Sequence, residues 1–93
     1  MAKFVIKKDG RKEPFDAEKI KKSVEAAAKM ANLSEERIKE VVNQVLRATT
    51  QLAEGKEEIA TSELKEKILA ELGIIEPSVS EAWKKYEQEK KKV

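Results

Sequence analysis

Ile38, Val41, Val42, Val45, Leu46 and Leu52 recur at the three- and four-residue spacing that gathers apolar side chains on one side of an α-helix. A stripe of that length cannot be left in water, so the chain must supply other apolar faces to cover it. It does. Ile20, Val24, Ala27 and Ala31 make a second face, Leu64, Ile68 and Leu72 a third, and Val79, Ala82, Trp83 and Tyr86 a fourth. Ninety-three residues leave room for one core. The spacings therefore predict four helices closing on one another in a single domain spanning residues 1–93.

Punctuation between the stripes sets the boundaries. Asp16 reads as an N-cap, with Phe15 before it and Ile20 inside the helix placed for a hydrophobic staple, so the first helix covers about 17–31 and ends at Asn32. Leu33-Ser34 repeats that pattern with Ile38 and opens a helix over about 34–53, broken by Glu54-Gly55-Lys56. Thr61 or Ser62 caps a third over about 61–72, with Gly73 as its stop. Pro77 suits the first turn of a fourth, about 77–90.

The front of the chain is different. Phe4-Val5-Ile6 is a short β-type run, and Asp9-Gly10 is a strong signal for a two-residue hairpin turn. The return strand runs from Arg11 to Phe15, where Pro14 is tolerable on an edge. The hairpin occupies about 3–15 and, being marginal alone, must pack on the helices. The expected fold class is thus α+β and mainly helical: a two-stranded N-terminal hairpin on a four-helix bundle.

The absence of Cys and His excludes thiol nucleophiles, imidazole bases and the usual zinc sites, and an enzyme is not expected. No apolar run approaches the roughly 20 residues that span a bilayer, so a cytoplasmic protein without a membrane partner is expected. The net charge of +2 conceals an uneven distribution: +4 over residues 3–22, −5 over 23–82 and +3 over 83–93. Two basic ends around an acidic middle suit an anion held where the ends meet, though two solvated basic ends would look the same.

Some residues break local rules. In a two-residue turn Lys8 opposes Arg11 and Lys7 opposes Lys12, and like charges facing across a hairpin are unfavourable unless long side chains splay apart. Lys19 stands in the first turn of the first helix, where the macrodipole favours a carboxylate. An ordinary solvated lysine is the bland reading; a helix start with free amides and an ammonium is also a plausible phosphate site. Thr61-Ser62 is a cap or a second phosphate contact, and Glu13 a strand-surface carboxylate or a base contact. Trp83 and Tyr86 read as core more than as a stacking platform. No glycine-rich phosphate loop occurs.

The stretch Val5-Ile6-Lys7-Lys8-Asp9-Gly10-Arg11-Lys12-Glu13-Pro14-Phe15-Asp16-Ala17-Glu18-Lys19-Ile20 resembles the opening of the ATP-cone, a hairpin lid over a small helical bundle. The similarity continues through Ile59-Ala60-Thr61-Ser62-Glu63-Leu64 and ends near Tyr86. ATP-cones occur on ribonucleotide reductases as an activity switch, in the zinc-ribbon repressor of their genes, fused to other proteins, and alone. The resemblance implies ATP or dATP as ligand, with Mg²⁺ accompanying the triphosphate. It implies that Lys7 and Lys8 meet the triphosphate, that Glu13 and Asp16 contact base or ribose, and that Val5 and Ile20 border the adenine. Lys19 and Thr61 would reach phosphate or sugar, as would Lys65, and Lys90 is the match to a basic residue near the family's C-terminal end. Arg11 is added as a phosphate contact on charge alone.

What the resemblance and the clustered cations lead us to expect is a free-standing, non-catalytic module that reports ATP or dATP to a ribonucleotide reductase or another regulated protein, or through homo-oligomers. Whether the chain stands alone or belongs to a longer protein is left open. A small helical nucleic-acid-binding domain is the alternative, although the acidic middle leaves no continuous phosphate track and nucleic acid is disfavoured as a partner.

Overall fold

The computed structural model describes residues 3–91, with side chains through Glu89. In chain order the elements are β1 (Phe4–Ile6), β2 (Lys12–Pro14), α1 (Ala17–Met30), α2 (Glu35–Ala53), β3 (Glu58–Ala60), α3 (Thr61–Ile75) and α4 (Pro77–Lys91). The chain is α+β and mainly helical, with the strands packed at one end of a four-helix bundle. The sheet has three strands in the order β2-β1-β3, one more than the sequence patterns predict. The extra strand, β3, returns after two helices to lie parallel to β1, with Val5 opposite Ile59 and Ile6 opposite Ala60.

The hairpin turn differs from the one Asp9-Gly10 predicts. A two-residue turn of the type Asp-Gly favours needs positive φ at both central residues, and among the described non-glycine residues only Asn32 has it. Gly10 alone turns left-handed here, at φ 87°. The Gly10 N–H donates to the Lys7 carbonyl at 2.9 Å and the Lys7 N–H to the Arg11 carbonyl at 2.8 Å, closing a three-residue loop of Lys8, Asp9 and Gly10. The pairing shifts accordingly. Lys12 faces Ile6 and not Lys7, Glu13 faces Val5, and Lys8 lies at the exposed tip and not opposite Arg11.

Caps on the first two helices follow from residue chemistry. The Asp16 carboxylate accepts from the Glu18 N–H at 2.9 Å, and the Ser34 hydroxyl accepts from the Arg37 N–H at 3.2 Å. Asn32, at φ 61°, closes α1: its N–H donates to the Lys29 carbonyl and that of Leu33 to the Ala28 carbonyl. This is the paired bonding that a left-handed residue permits at a helix end. Asn32→Ala should therefore cost about 1 kcal/mol in urea denaturation, whereas Asn32→Gly should cost nothing or stabilise slightly.

Two expectations about α3 fail. Neither Thr61 nor Ser62 caps it: Ala60 holds the N-cap position without a side-chain bond, because β3 runs directly into the helix. The Thr61 hydroxyl instead donates to the Ile6 carbonyl at 3.1 Å, tying α3 to β1. Nor does Gly73 stop the helix, which runs on to Ile75 and so adds an apolar side chain to the core. Pro77 stops it, forcing Glu76 out of the helical backbone. There the Arg37 guanidinium donates to the Ile75 carbonyl and the Glu76 carboxylate, locking α2 to the α3–α4 corner.

The main core joins all four helices through residues such as Val24, Val41, Val45, Leu72, Val79 and Trp83. Trp83 is 3% exposed, and its indole N–H donates to the Ser23 hydroxyl at 3.3 Å. It is core, as its spacing suggests. A second, smaller cluster of Ala53, Ile59 and Leu64, with Val5, Phe15 and Leu52 against it, holds the sheet to the bundle. The strands thus rest on the helices through their own limited apolar contact.

Candidate functional site

A cleft of about 120 Å³ opens where the hairpin meets the starts of α1 and α3. Alternation along the strands aims Val5, Lys7 and Glu13 at the helices, while Phe4, Lys12 and Glu58 take the other face. On the helix side the lining comes from Asp16, Lys19 and Ile20 at the head of α1 and from Thr61 and Leu64 at the head of α3. Pro14 and Phe15 complete it. Val5, Phe15, Ile20 and Leu64 make the wall apolar, and Lys7, Glu13, Asp16, Lys19 and Thr61 give it a polar rim.

The lysines there are not fanned outward. Lys7 Nζ lies 3.6 Å and Lys19 Nζ 3.9 Å from the same Glu13 oxygen, Oε2. Both separations exceed the 2.7–2.9 Å of a tight charge-assisted bond, so one carboxylate holds two ammonium groups loosely. Glu13 is about one-third exposed, whereas the Lys19 side chain is 71% exposed and reaches in from solvent. The first turn of α1 is partly occupied already, since Asp16 takes the Glu18 N–H. The start of α3 has no such side-chain cap.

Three expected residues, Arg11, Lys8 and Lys65, do not line this cleft. Arg11 folds onto Asp9 at the hairpin tip, Nε to Oδ2 at 2.7 Å. The Arg11 backbone N–H, and then its guanidinium, hold the Asp9 carboxyl below its ordinary pKa. Lys8 is exposed at the same tip and pairs with no described carboxylate. Lys65 lies one turn beyond Thr61, with Nζ 3.9 Å from Glu87 Oε2 on α4. The Lys90 side chain falls outside the described residues. Pro14, Phe15 and Leu64 read in the sequence as edge strand, staple and core; their common place on the cleft wall follows from β3, which sets α3 beside the hairpin.

A larger hollow, of about 490 Å³, lies between α1 and α2, lined by alternating charges such as Lys21, Glu25, Lys29 and Lys39 over Ile38 and Val42. None of the expected residues whose side chains are described lines it. The smaller cleft is the better site, because there an apolar wall, two ammonium groups and a hydroxyl converge from three separate elements. Among the described residues no group of three or more carboxylates could hold a metal ion, and no described helix is long and apolar enough to cross a membrane.

The sequence is similar to known proteins over most of its length. The family model of the ATP cone domain matches residues 3–92. The transcriptional repressor NrdR of Bdellovibrio bacteriovorus is 38% identical over 69 residues, which is 74% of this chain and 34% of that protein. NrdR of Mesorhizobium japonicum is 40% identical over 60 residues, 64% of this chain and 36% of the relative. For Listeria innocua NrdR the figures are 35% over 73 residues, 78% and 46%. The chain thus spans between about a third and a half of these curated relatives.

Proposed function

The chain belongs to the ATP cone family, and on that premise we propose that it is a non-catalytic regulatory module binding ATP or dATP beneath its hairpin. The single observation that carries this reading is the convergence of Lys7, Lys19 and Thr61 around an apolar wall of Val5 and Ile20. Planar apolar surface suits a purine; ammonium groups and a hydroxyl suit phosphates and sugar. Pockets that bury drug-sized ligands run to roughly 300–1,000 Å³, so a cleft of about 120 Å³ takes the base and leaves the phosphates along the lysine rim, or widens as the hairpin lifts. Mg²⁺ would be held by the phosphates and water, as that ion commonly is.

Regulation follows if the ligand bridges two parts whose contact varies. The nucleotide would touch both the sheet and the helix starts, which share only a small apolar cluster. Its differential affinity for the closed lid is the most it can transmit to a partner. That partner would be a ribonucleotide reductase, another regulated protein or a second copy of the chain. Kinship with transcriptional repressors supports a second reading, in which the same fold serves a nucleic-acid-binding protein. That weighs against the expectation drawn from charge that nucleic acid is disfavoured.

Calorimetric titration with ATP and dATP is the direct test. At a hundredfold excess over Kd, nucleotide should raise the melting temperature by about 10–20 °C. Absence of both heat and shift at millimolar nucleotide would end the proposal. Light scattering on the same samples reads self-association, and duplex DNA retarded with a steep salt dependence would favour the second reading.

A further inference from the structure

Resting on the nucleotide-binding reading, we propose that Glu13 is an internal competitor of the ligand: it occupies the two ammonium groups that a polyphosphate must take over. The geometry is specific to this carboxylate. One oxygen, Oε2, lies 3.6 Å from Lys7 Nζ and 3.9 Å from Lys19 Nζ, and all three side chains line the same cleft. Glu13 is fixed on β2, its backbone paired with Val5, while the lysines ride on long flexible stems. On binding, therefore, the lysines swing toward phosphate and the carboxylate stays. With Asp16, which also lines the cleft, the charged groups there sum to zero, so the empty site keeps its ammonium charge offset until the lysines turn to a phosphate.

This accounts for how the front of the molecule tolerates its cations without ligand. Arg11 is neutralised by Asp9, and Lys12 by Glu58 on the outer face. Lys7 and Lys19 share Glu13. Of these carboxylates only Glu13 faces the cleft, so only there does neutralisation compete with a ligand. The contacts are long and partly solvated, which makes the competition modest and readily reversed.

The test compares Glu13→Gln with Glu58→Gln, which removes the same charge from the outer face. Calorimetry at fixed ionic strength would use inorganic tripolyphosphate and ATP as probes, after a melting curve of each variant without ligand. Glu13→Gln should tighten tripolyphosphate by about 3- to 10-fold, and Glu58→Gln by less than about twofold. Glu13→Asp, one methylene further from the lysines, should fall between wild type and Gln, and serves if the Gln variant does not fold. Equal tightening in the Gln variants would reduce the effect to net charge and overturn the proposal. Unchanged or weaker tripolyphosphate binding by Glu13→Gln, with wild type binding ATP normally, would overturn it while leaving the nucleotide reading intact. Failure of wild type to bind either probe would instead remove that reading, and this one with it.

Discussion

Replacing Lys7 and Lys19 together by alanine should weaken ATP binding at least about 30-fold while leaving the ligand-free melting temperature within a few degrees of wild type. Contacts from ammonium groups to phosphate are charge-assisted and individually strong. Exposure of Lys19 discounts its share, and for that reason the figure is set low. Stability should barely change, because what is lost is two loose contacts to Glu13. The structure adds a ranking to this expectation. Arg11→Ala should cost less than about threefold, since that guanidinium is engaged with Asp9 at the tip and does not line the cleft. If Arg11→Ala matched the double variant, the phosphates would lie over the tip and the cleft would be the wrong site.

The second large effect concerns stability. Trp83→Ala should lower it by about 3–5 kcal/mol and the melting temperature by about 15–30 °C, from truncation of a large buried side chain. A domain this size has only about 5–15 kcal/mol in all, so the variant would be near unfolding at ordinary temperature. Trp83→Phe keeps most of the packing but leaves Ser23 without its indole donor, and should lose about 1–2 kcal/mol. A Trp83→Ala protein that melted like wild type yet no longer answered to ATP would make the indole a base platform and refute its role in the core.

How much of the fold is legible in the chain varies with the range of the interaction. The helix faces, the Asp16 and Ser34 caps and the Asn32 terminus are readable because each depends on residues within a turn or two. The hairpin is readable but its register is not. Asp-Gly serves both the two-residue and the three-residue loop, and the choice rests on whether Asp9 adopts positive φ. Gly73 misleads for another reason: its helical penalty of roughly 1 kcal/mol is offset by burying Ile75, and Pro77 provides the true stop.

In the candidate site, Lys7, Glu13, Asp16 and Lys19 lie close in sequence, and family resemblance is enough to group them. The far wall is not readable in this way. β3 has three residues and no alternating run to betray it, and its partner β1 lies across two helices. Family resemblance assigns Thr61 to the ligand, but no local pattern in the sequence sets it and Leu64 against the hairpin; that strand does. The Arg11–Asp9 clasp is hidden likewise, since it depends on the loop geometry at Gly10.

That parallel pairing also imposes an order of events on the newborn polypeptide. The lid strand β1 leaves the ribosome first but cannot complete its sheet until residues 58–60 have emerged and the intervening helices have folded back. Closing so long a loop is slow compared with forming a helix. Sensitivity to ligand should therefore appear late in synthesis and all at once, when the α3 start docks, and a chain halted before Glu58 would carry every lysine of the rim yet lack Thr61 and Leu64, the side of the cleft that faces the hairpin.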